Sequence, residues 1–231
     1  MKRLISLFAL FCLATLAWAD QKRTDVDDRL QSATKTLQEI LNAPDKGIPQ
    51  DVLRGAKCVA VVPREIKGGF VFGARHGRGV STCKLPDGAW SAPAFFTVTG
   101  GSWGAQIGVE NVELVMMVMN DDGMRQLLQS KFKIGAGASA TVGPVGRAVS
   151  ASESWKLNAP ILTYSRAQGL FAGADLNGTE VEKDADSTKA MYRRDLSNTA
   201  ILTGKVPVPP AARDFVATVR NSTSSATVAK R

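Results

Sequence analysis

Residues of the kind that hydrolases use lie near the middle of the sequence. Gly100-Gly101-Ser102-Trp103-Gly104 fits G-x-S-x-G, the pattern in which a strained turn exposes a nucleophilic serine. Hydrolases of that fold take their histidine from downstream of the serine, but the only histidine, His76, lies upstream. The order His76, Asp87, Ser102 matches the chymotrypsin type, yet the three residues lie within 27 positions instead of on two barrels. We therefore predict that the chain is not an enzyme, with a hydrolase as the least favoured alternative.

A second glycine pattern resembles a nucleotide-binding loop. Residues Gly135 to Ala140 fit the looser G-x-G-x-x-G/A fingerprint, whose glycines let a pyrophosphate approach a helix N-terminus. Gly143-Pro144 breaks the helix that this fingerprint requires, so a strand or a closely packed loop is favoured. With one histidine, and with two cysteines once a predicted N-terminal leader is removed, the chain cannot supply a zinc-finger arrangement. We predict neither a cofactor nor a bound metal.

Positive charge is the most informative chemical feature of the sequence. Between Asp51 and Lys84, seven cations oppose two acids, which leaves a net charge of +5. The glycines of this stretch let backbone N–H groups approach phosphate oxygens, which arginine also binds bidentately. The candidate residues for binding an anion such as a lipid headgroup are Lys67, Arg75, Arg78 and Arg147. For any single one of them, an outward position on a solvated sheet is the competing interpretation.

The N-terminus has the pattern of a secretory signal peptide. Lys2 and Arg3 precede an apolar stretch from Leu4 to Leu16, and Ala17-Trp18-Ala19 offers small residues at the cleavage spacing. We predict cleavage after Ala19 and a periplasmic or secreted protein. Cleavage lowers the net charge from +8 to +6, which favours an anionic partner surface.

Two cysteines remain after this cleavage. Cys58 and Cys83 would then meet an oxidising compartment, where two thiols are candidates for a disulfide. The competing interpretation is that both are small buried hydrophobic residues. The sequence leaves these alternatives open.

Helices are predicted near both ends of the chain. From Asp25 to Asn42 the apolar residues recur mostly at spacings of three and four, and Thr24 with Asp27 forms a capping box. Near the C-terminus we expect a helix from Ser187 to about Leu196, a helical turn from Ala200 to Leu202 and a last helix that begins at Pro210. No linker divides the chain, so we predict one domain over residues 20–220 and a disordered tail over residues 221–231.

Strand signals dominate from Lys57 to about Asn177. Runs of β-branched and aromatic residues alternate with Gly, Pro and Asp-Gly turn signals, which favours an antiparallel sheet. Leu114 to Met119 is continuously apolar and predicts a central strand, and Asp121 begins a short helix. The predicted strands are Cys58–Val62, Phe70–Arg75, Gly79–Leu85, Trp90–Thr99, Gln106–Val109, Glu113–Met119, Lys131–Ile134, Arg147–Trp155, Ile161–Tyr164 and Leu170–Ala174.

Eight short motifs occur in the order in which the SYLF domain has them, and the chain resembles that family over roughly Leu37 to Val219. The motifs are Val61-Val62-Pro63, Gly68-Gly69-Phe70, Gly77-Arg78-Gly79, Trp90-Ser91-Ala92-Pro93, Gly100-Gly101-Ser102, Gln106-Ile107-Gly108, Gly143-Pro144-Val145-Gly146-Arg147 and Tyr164-Ser165-Arg166. We expect an α+β fold, with a largely antiparallel, barrel-like sheet and flanking N- and C-terminal helices.

The resemblance implies a non-catalytic module that contacts anionic phospholipid headgroups or a membrane surface. Yeast members of the family also bind actin filaments, but predicted export argues that actin is not a partner here, and nucleic acid is not expected. The alternative is a structural or adaptor protein of the cell envelope that docks through Val115–Met119 or through the helix at Val26. Arg193 stands where many relatives have glycine, so we expect a different local turn. The lipid, the protein partners and the oligomeric state stay open.

Overall fold

The structure is a computed structural model that describes residues 2–42, 47–69, 72–103, 108–135, 140–146, 158–167 and 170–224. Within them, nine strands form one curled, half-barrel sheet, and six α-helices flank it. The fold is therefore α+β, as the sequence predicted. None of the helices in these ranges is long and apolar enough to cross a lipid bilayer.

The sheet has the order β5-β9-β3-β2-β1-β4-β7-β6, and β8 also pairs with β7. Among the described strands, every pair runs antiparallel except β6 with β7. The strands are β1 Cys58–Gly69, β2 Phe72–Cys83, β3 Ala94–Trp103, β4 Gly108–Val118, β5 Lys131–Lys133, β6 Ala140–Val142, β7 Ile161–Ala167, β8 Leu170–Gly173 and β9 Glu180–Lys183.

The helices cover both faces of this sheet. α1 packs against β1, β2, α4 and α6, whereas α3 and α5 lie together on the side of β3 and β5. The helices are α1 Lys2–Leu41, α2 Gln50–Gly55, α3 Asp121–Leu128, α4 Ala185–Tyr192, α5 Asn198–Leu202 and α6 Arg213–Ser224, and a 3₁₀ turn over Pro210–Ala212 leads into α6.

Two apolar cores lie on the two faces of the sheet. Consecutive residues of β1 enter different cores, because successive side chains of a strand point to opposite faces. Val61 packs on the side of α1, and Val62 lies on the other side. β4 lies between β1 and β7 and is buried on both faces, which confirms the predicted central strand. The α1 face contributes Val26, Leu30, Ala33, Leu37 and Ile40, all fully buried. Burial of each large side chain among them stabilises the fold by about 2 kcal/mol.

A β-bulge at Pro63 and Arg64 decides which later residues of β1 face α1. The register of β1 shifts by one residue between Val62 and Glu65 against β4, and β2 shows the same irregularity. A bulge is where a central strand tolerates proline, because proline has no N–H to donate. As a result, Arg64 and Ile66 lie beside α1, whereas Glu65 lies on the opposite face.

Several predicted boundaries are wrong for identifiable reasons. α1 passes through Thr24 without a break, so the expected capping box does not begin a helix there. α4 begins at Ala185 because Asp184, and not Ser187, accepts the capping hydrogen bond. The last helix continues to Ser224, past the expected start of the tail.

The strands differ mainly in length from their predicted bounds. Gly77 and Gly79 do not end a strand, since β2 runs through them and joins two predicted strands into one. β4 likewise joins two predicted strands. The short strands β6 and β9 were not predicted, and the strand expected over Arg147–Trp155 lies outside the described residues.

Candidate functional site

Cys58 and Cys83 face each other across the β1–β2 ladder and form a disulfide. Both residues are also fully buried. The two interpretations left open by the sequence, a disulfide and a pair of buried residues, are therefore both correct. The bridge joins positions 25 residues apart, and closing such a loop stabilises the fold by about 3 kcal/mol, mainly by restricting the unfolded chain.

The structure does not assemble the residues considered for a hydrolase. His76 pairs with Thr99 in the β2–β3 ladder, whereas Ser102 pairs with Gly73, about 10 Å further along the strands. Asp87 lies in the turn after β2, where its carboxylate accepts a hydrogen bond from the N–H of Ala89. Ser102 belongs to strand β3 and not to a strand-to-helix turn.

Of the four cations selected from the sequence, the three in the described residues do not share a surface. Lys67 and Arg75 are paired positions of β1 and β2, and both lie beside Glu65. Arg78 faces α1 on the opposite side of the sheet, and Arg147 lies outside the described residues. The anion-binding role of these residues stays a prediction, but the structure already engages the first three with carboxylates.

Glu65, Lys67 and Arg75 form the Glu65 cluster. The carboxylate of Glu65 is fully buried, with Oε1 3.5 Å from Arg75 Nε and Oε2 3.7 Å from Lys67 Nζ, and neither oxygen accepts a hydrogen bond. Arg75 instead donates from Nη1 to Thr179 Oγ1 at 3.2 Å and to the carbonyl of Asp175 at 3.4 Å. Burial raises the pKa of Glu65, although both cations oppose that shift.

A second carboxylate, Asp184, is the centre of the Asp184 cluster, which also contains Arg29, Arg78 and Ser187. Asp184 accepts hydrogen bonds from the N–H of Ser187 at 2.9 Å and from its hydroxyl at 2.6 Å. Arg29 donates to Asp184 at 3.1 Å, and Arg78 lies 3.2 Å from it. Burial by itself would raise the pKa of Asp184, but these hydrogen bonds and charges outweigh it and lower the pKa.

The Asp184 cluster fastens α1 to the rest of the fold. Asp25 of α1 lies 2.7 Å from Arg78 of β2 and 3.1 Å from Arg29, one turn further along its own helix. The guanidinium of Arg29 also lies 5.7 Å from the ring centre of Phe95, within cation–π range. One polar group therefore joins α1, β2 and the first turn of α4.

Arg166 makes a comparable connection nearer the C-terminal end of α1. Its guanidinium contacts Glu39 of α1 and Glu113 of β4, and these contacts raise the pKa of Arg166 despite partial burial. Thr36 of α1 donates to Glu113 at 2.9 Å. Two groups of ion pairs thus hold α1 against the sheet, one near Arg29 and one near Glu39.

Between these two groups lies a cleft of about 990 Å³, which we call the trough. The polar side of α1 forms one wall, and the half of the sheet beyond the bulge forms the other. The residues on the walls are Asp28, Ser32 and Lys35 from α1, and Arg64, Ile66, His76 and Asn111 from the sheet. Arg64 donates from Nε to Asn111 at 3.2 Å, and Ile66 is 42% exposed.

The apolar sides of the two docking elements suggested by the sequence are buried. Val115 to Met119 is buried in the cores, and Val26 lies on the side of α1 that packs against the fold. Sequence reasoning also missed the partners that shape the trough. Asp184 could be recognised as an acid at a helix start, but nothing in the sequence connects it to Arg29.

Comparison with known proteins gives a consistent match. A family model described as "Ysc84: Las17-binding protein actin regulator" matches residues 99–222. SH3 domain-containing YSC84-like protein 1 of Rattus norvegicus is 33% identical over 198 residues, covering 83% of this chain and 58% of the rat protein. Protein YSC84 of Saccharomyces cerevisiae is 31% identical over 195 residues, covering 79% of this chain and 42% of the yeast protein. LAS seventeen-binding protein 3 of the same yeast is 31% identical over 194 residues, with the same coverages.

The chain spans less than two thirds of the length of these relatives. Their names and the description of the family model nevertheless correct one expectation. The prediction that actin is not a partner is wrong, because the matching family is described as an actin regulator and its yeast relative is named for binding Las17. A protein partner is therefore indicated, where the sequence had left protein partners open.

Proposed function

The chain belongs to the Ysc84 (SYLF) family, and we propose that it is a non-enzymatic binding module whose trough receives a segment of a protein partner. The observation that carries this proposal is the trough itself. Ion pairs hold α1 at both ends of the cleft, and the side chains between them stay accessible. Such a concave site, built by rigid elements, is the usual form of a binding site.

The relatives support a protein partner over a small-molecule substrate. They are named or described as binding or regulatory proteins, and the structure separates the residues that hydrolysis would need. The proposed partner class is a protein of the actin-regulatory machinery.

Two purified probes test this function. The full chain is mixed with Las17 in a pull-down experiment and with filamentous actin in a co-sedimentation experiment. Ile66→Glu places a charge in the trough, and Val145→Glu is the matched control, because Val145 is similarly exposed (44%) but does not line the trough. We expect binding to at least one probe, weakened about tenfold by Ile66→Glu and unchanged by Val145→Glu. Binding to neither probe, or an equal loss in both variants, contradicts the proposal.

Contact with anionic phospholipid is a second candidate function. It is favoured by exposed cations that make no ion pair with any residue in the described part of the chain, among them Lys84, Arg193, Arg194, Arg213 and Arg220. Exposed cations near an anionic membrane contribute about 1 kcal/mol each to binding. Co-sedimentation with phosphatidylcholine vesicles, with and without phosphatidylserine, tests this candidate. We expect binding that depends on phosphatidylserine and that falls when Arg193 and Arg194 are both changed to Glu. Equal sedimentation with the two kinds of vesicle argues against this candidate function.

Export is proposed on the sequence pattern of residues 1–19. The intact mass of the protein purified from its native cells is expected to match a chain that begins at Asp20. A mass that includes Lys2 and Arg3 contradicts cleavage.

A further inference from the structure

The dimensions of the trough limit what can occupy it. Its α1 wall runs from Asp25 to Glu39, which corresponds to about 21 Å at the rise of an α-helix. An extended chain covers that length with about six residues. The trough therefore fits a short extended segment and not a folded domain.

Most charges of the trough are paired, and the exceptions in the described structure are Asp28 on α1 and Arg64 on the sheet. Arg29 and Arg78 are paired with Asp184, Arg166 is paired with Glu39, and Lys35 lies 3.8 Å from Glu39. Of the lysines and arginines that line the trough in the described structure, Arg64 alone has no carboxylate within 4.0 Å. Its Nε donates to Asn111, which leaves both Nη groups to bind a carboxylate.

An apolar contact lies at a fixed distance from this cation. Ile66 is two residues beyond Arg64 on the same face of β1, about 7 Å along the strand. Its cross-strand neighbours are His76 of β2 and Asn111 of β4, so a polar rim surrounds one exposed apolar side chain. Alternate side chains of an extended peptide have the same spacing.

We propose that the trough recognises an extended segment in which a carboxylate residue and an apolar residue are separated by one position, with the carboxylate on Arg64 and the apolar side chain on Ile66. This proposal rests on the proposed function, since it names the kind of partner segment that the same site selects. The intervening residue faces away from the sheet and is not selected.

Fluorescence anisotropy with three labelled hexapeptides tests this rule on the full chain. The first peptide is Ser-Ser-Glu-Ser-Leu-Ser, the second replaces Glu by Lys, and the third places Glu directly beside Leu. We expect the first to bind about tenfold more tightly than either of the others, because only it satisfies both contacts. Equal affinity for the Glu and Lys peptides, or for the two Glu spacings, overturns the proposal.

Charge reversal provides the matched variants. Arg64→Glu is expected to weaken the Glu peptide about tenfold and to strengthen the Lys peptide. Lys205→Glu makes the same change of charge at an exposed residue that does not line the trough, and it is expected to alter neither affinity more than about twofold. Circular dichroism confirms that both variants are folded. Equal effects of the two variants would show diffuse charge attraction and overturn the proposal.

Other results separate the alternatives. If the Glu peptide fails to bind while Arg64→Glu abolishes binding to phosphatidylserine vesicles, the occupant is a lipid headgroup and the peptide proposal is overturned. If Las17 or filamentous actin binds but the Glu peptide does not, the segment rule fails and the proposed function stands. If none of these probes binds, both proposals fail.

Discussion

Glu65 and Asp184 are both buried carboxylates, and each lies beside two cations. Their pKa values nevertheless shift in opposite directions, upward for Glu65 and downward for Asp184. The difference lies in hydrogen bonding. Asp184 accepts from Ser187 and from both arginines, whereas neither oxygen of Glu65 accepts a hydrogen bond.

The comparison shows that nearby opposite charge does not by itself compensate a buried carboxylate. At Asp184, directional donors replace the lost water, so the ionised form is favoured. At Glu65 the cations lie 3.5 and 3.7 Å away, too far to hydrogen-bond, and desolvation outweighs their attraction. Asp184 therefore fastens α1 to the fold, whereas Glu65 is expected to contribute little.

The largest effect is expected from Asp184→Asn. Asparagine can still cap α4, but it removes the charge that compensates buried Arg29, so the free energy of unfolding should fall by about 3 kcal/mol at neutral pH. Chemical denaturation measures this loss. Asp195→Asn is the control, because Asp195 is exposed in its pair with Lys183, and its loss should be much smaller than that of Asp184→Asn. Equal losses of unfolding free energy in the two variants would show that Asp184 stabilises the fold no more than an exposed aspartate does.

The two carboxylates should also give opposite dependences of stability on pH. Asp184 has a folded pKa below its unfolded value, so its stabilisation is present above the unfolded pKa and is lost as pH falls through the folded pKa. Glu65 has a raised folded pKa, so stability declines as pH rises from its unfolded value towards its folded value. Each slope is at most about 1.4 kcal/mol per pH unit.

Denaturation of the wild type, Asp184→Asn and Glu65→Gln over a range of pH separates these slopes. The acid-side loss should diminish only in Asp184→Asn, and the decline at higher pH should diminish only in Glu65→Gln. A slope of the same sign at both positions would contradict the comparison.

At neutral pH, Glu65→Gln should change the free energy of unfolding by less than about 1 kcal/mol. The substitution removes attraction to Arg75 but also removes the desolvation cost of the carboxylate, while Arg75 keeps its bonds to Thr179 and Asp175. Denaturant titration checks the value. A loss as large as that expected for Asp184→Asn would show that the ion pair stabilises the fold.

The smallest effect is expected at the C-terminal end of α4. Asp184 caps the start of this helix favourably, whereas Arg193 caps its end unfavourably. Arg193 ends the helix with φ 60°, a left-handed conformation that glycine adopts more readily. Arg193→Gly should therefore raise the free energy of unfolding by about 0.5 kcal/mol after the entropy of glycine is subtracted. Arg194→Gly is the control and should give no gain. Thermal denaturation compares the two.

The sequence allowed the fold class to be predicted because the signals involved are local. Apolar spacing identified the buried face of α1, and alternation with turn residues located most strands. The different turn expected at Arg193 stays a prediction, because Arg193 adopts the left-handed conformation that glycine favours. The family resemblance was confirmed by the match over residues 99–222.

The site could not be predicted in the same way, because it depends on contacts between distant residues. Arg29 and Asp184 are separated by 155 positions, and no local pattern pairs them. The cations from Arg54 to Lys84 appeared as one basic stretch. Strand alternation and the bulge divide the cations of β1 and β2 between the two faces of the sheet, where Glu65 engages Lys67 and Arg75, and Asp184 engages Arg78.

The bulge at Pro63 and Arg64 determines which face of the sheet each later residue of β1 occupies. If the same sequence ran through the sheet without the bulge, strict alternation would exchange the faces of every later position in the strand. Glu65 and Lys67 would then point towards α1, and Arg64 and Ile66 would leave the trough. The surface that β1 presents to α1 therefore depends on one extra backbone position as much as on the side chains that the strand carries.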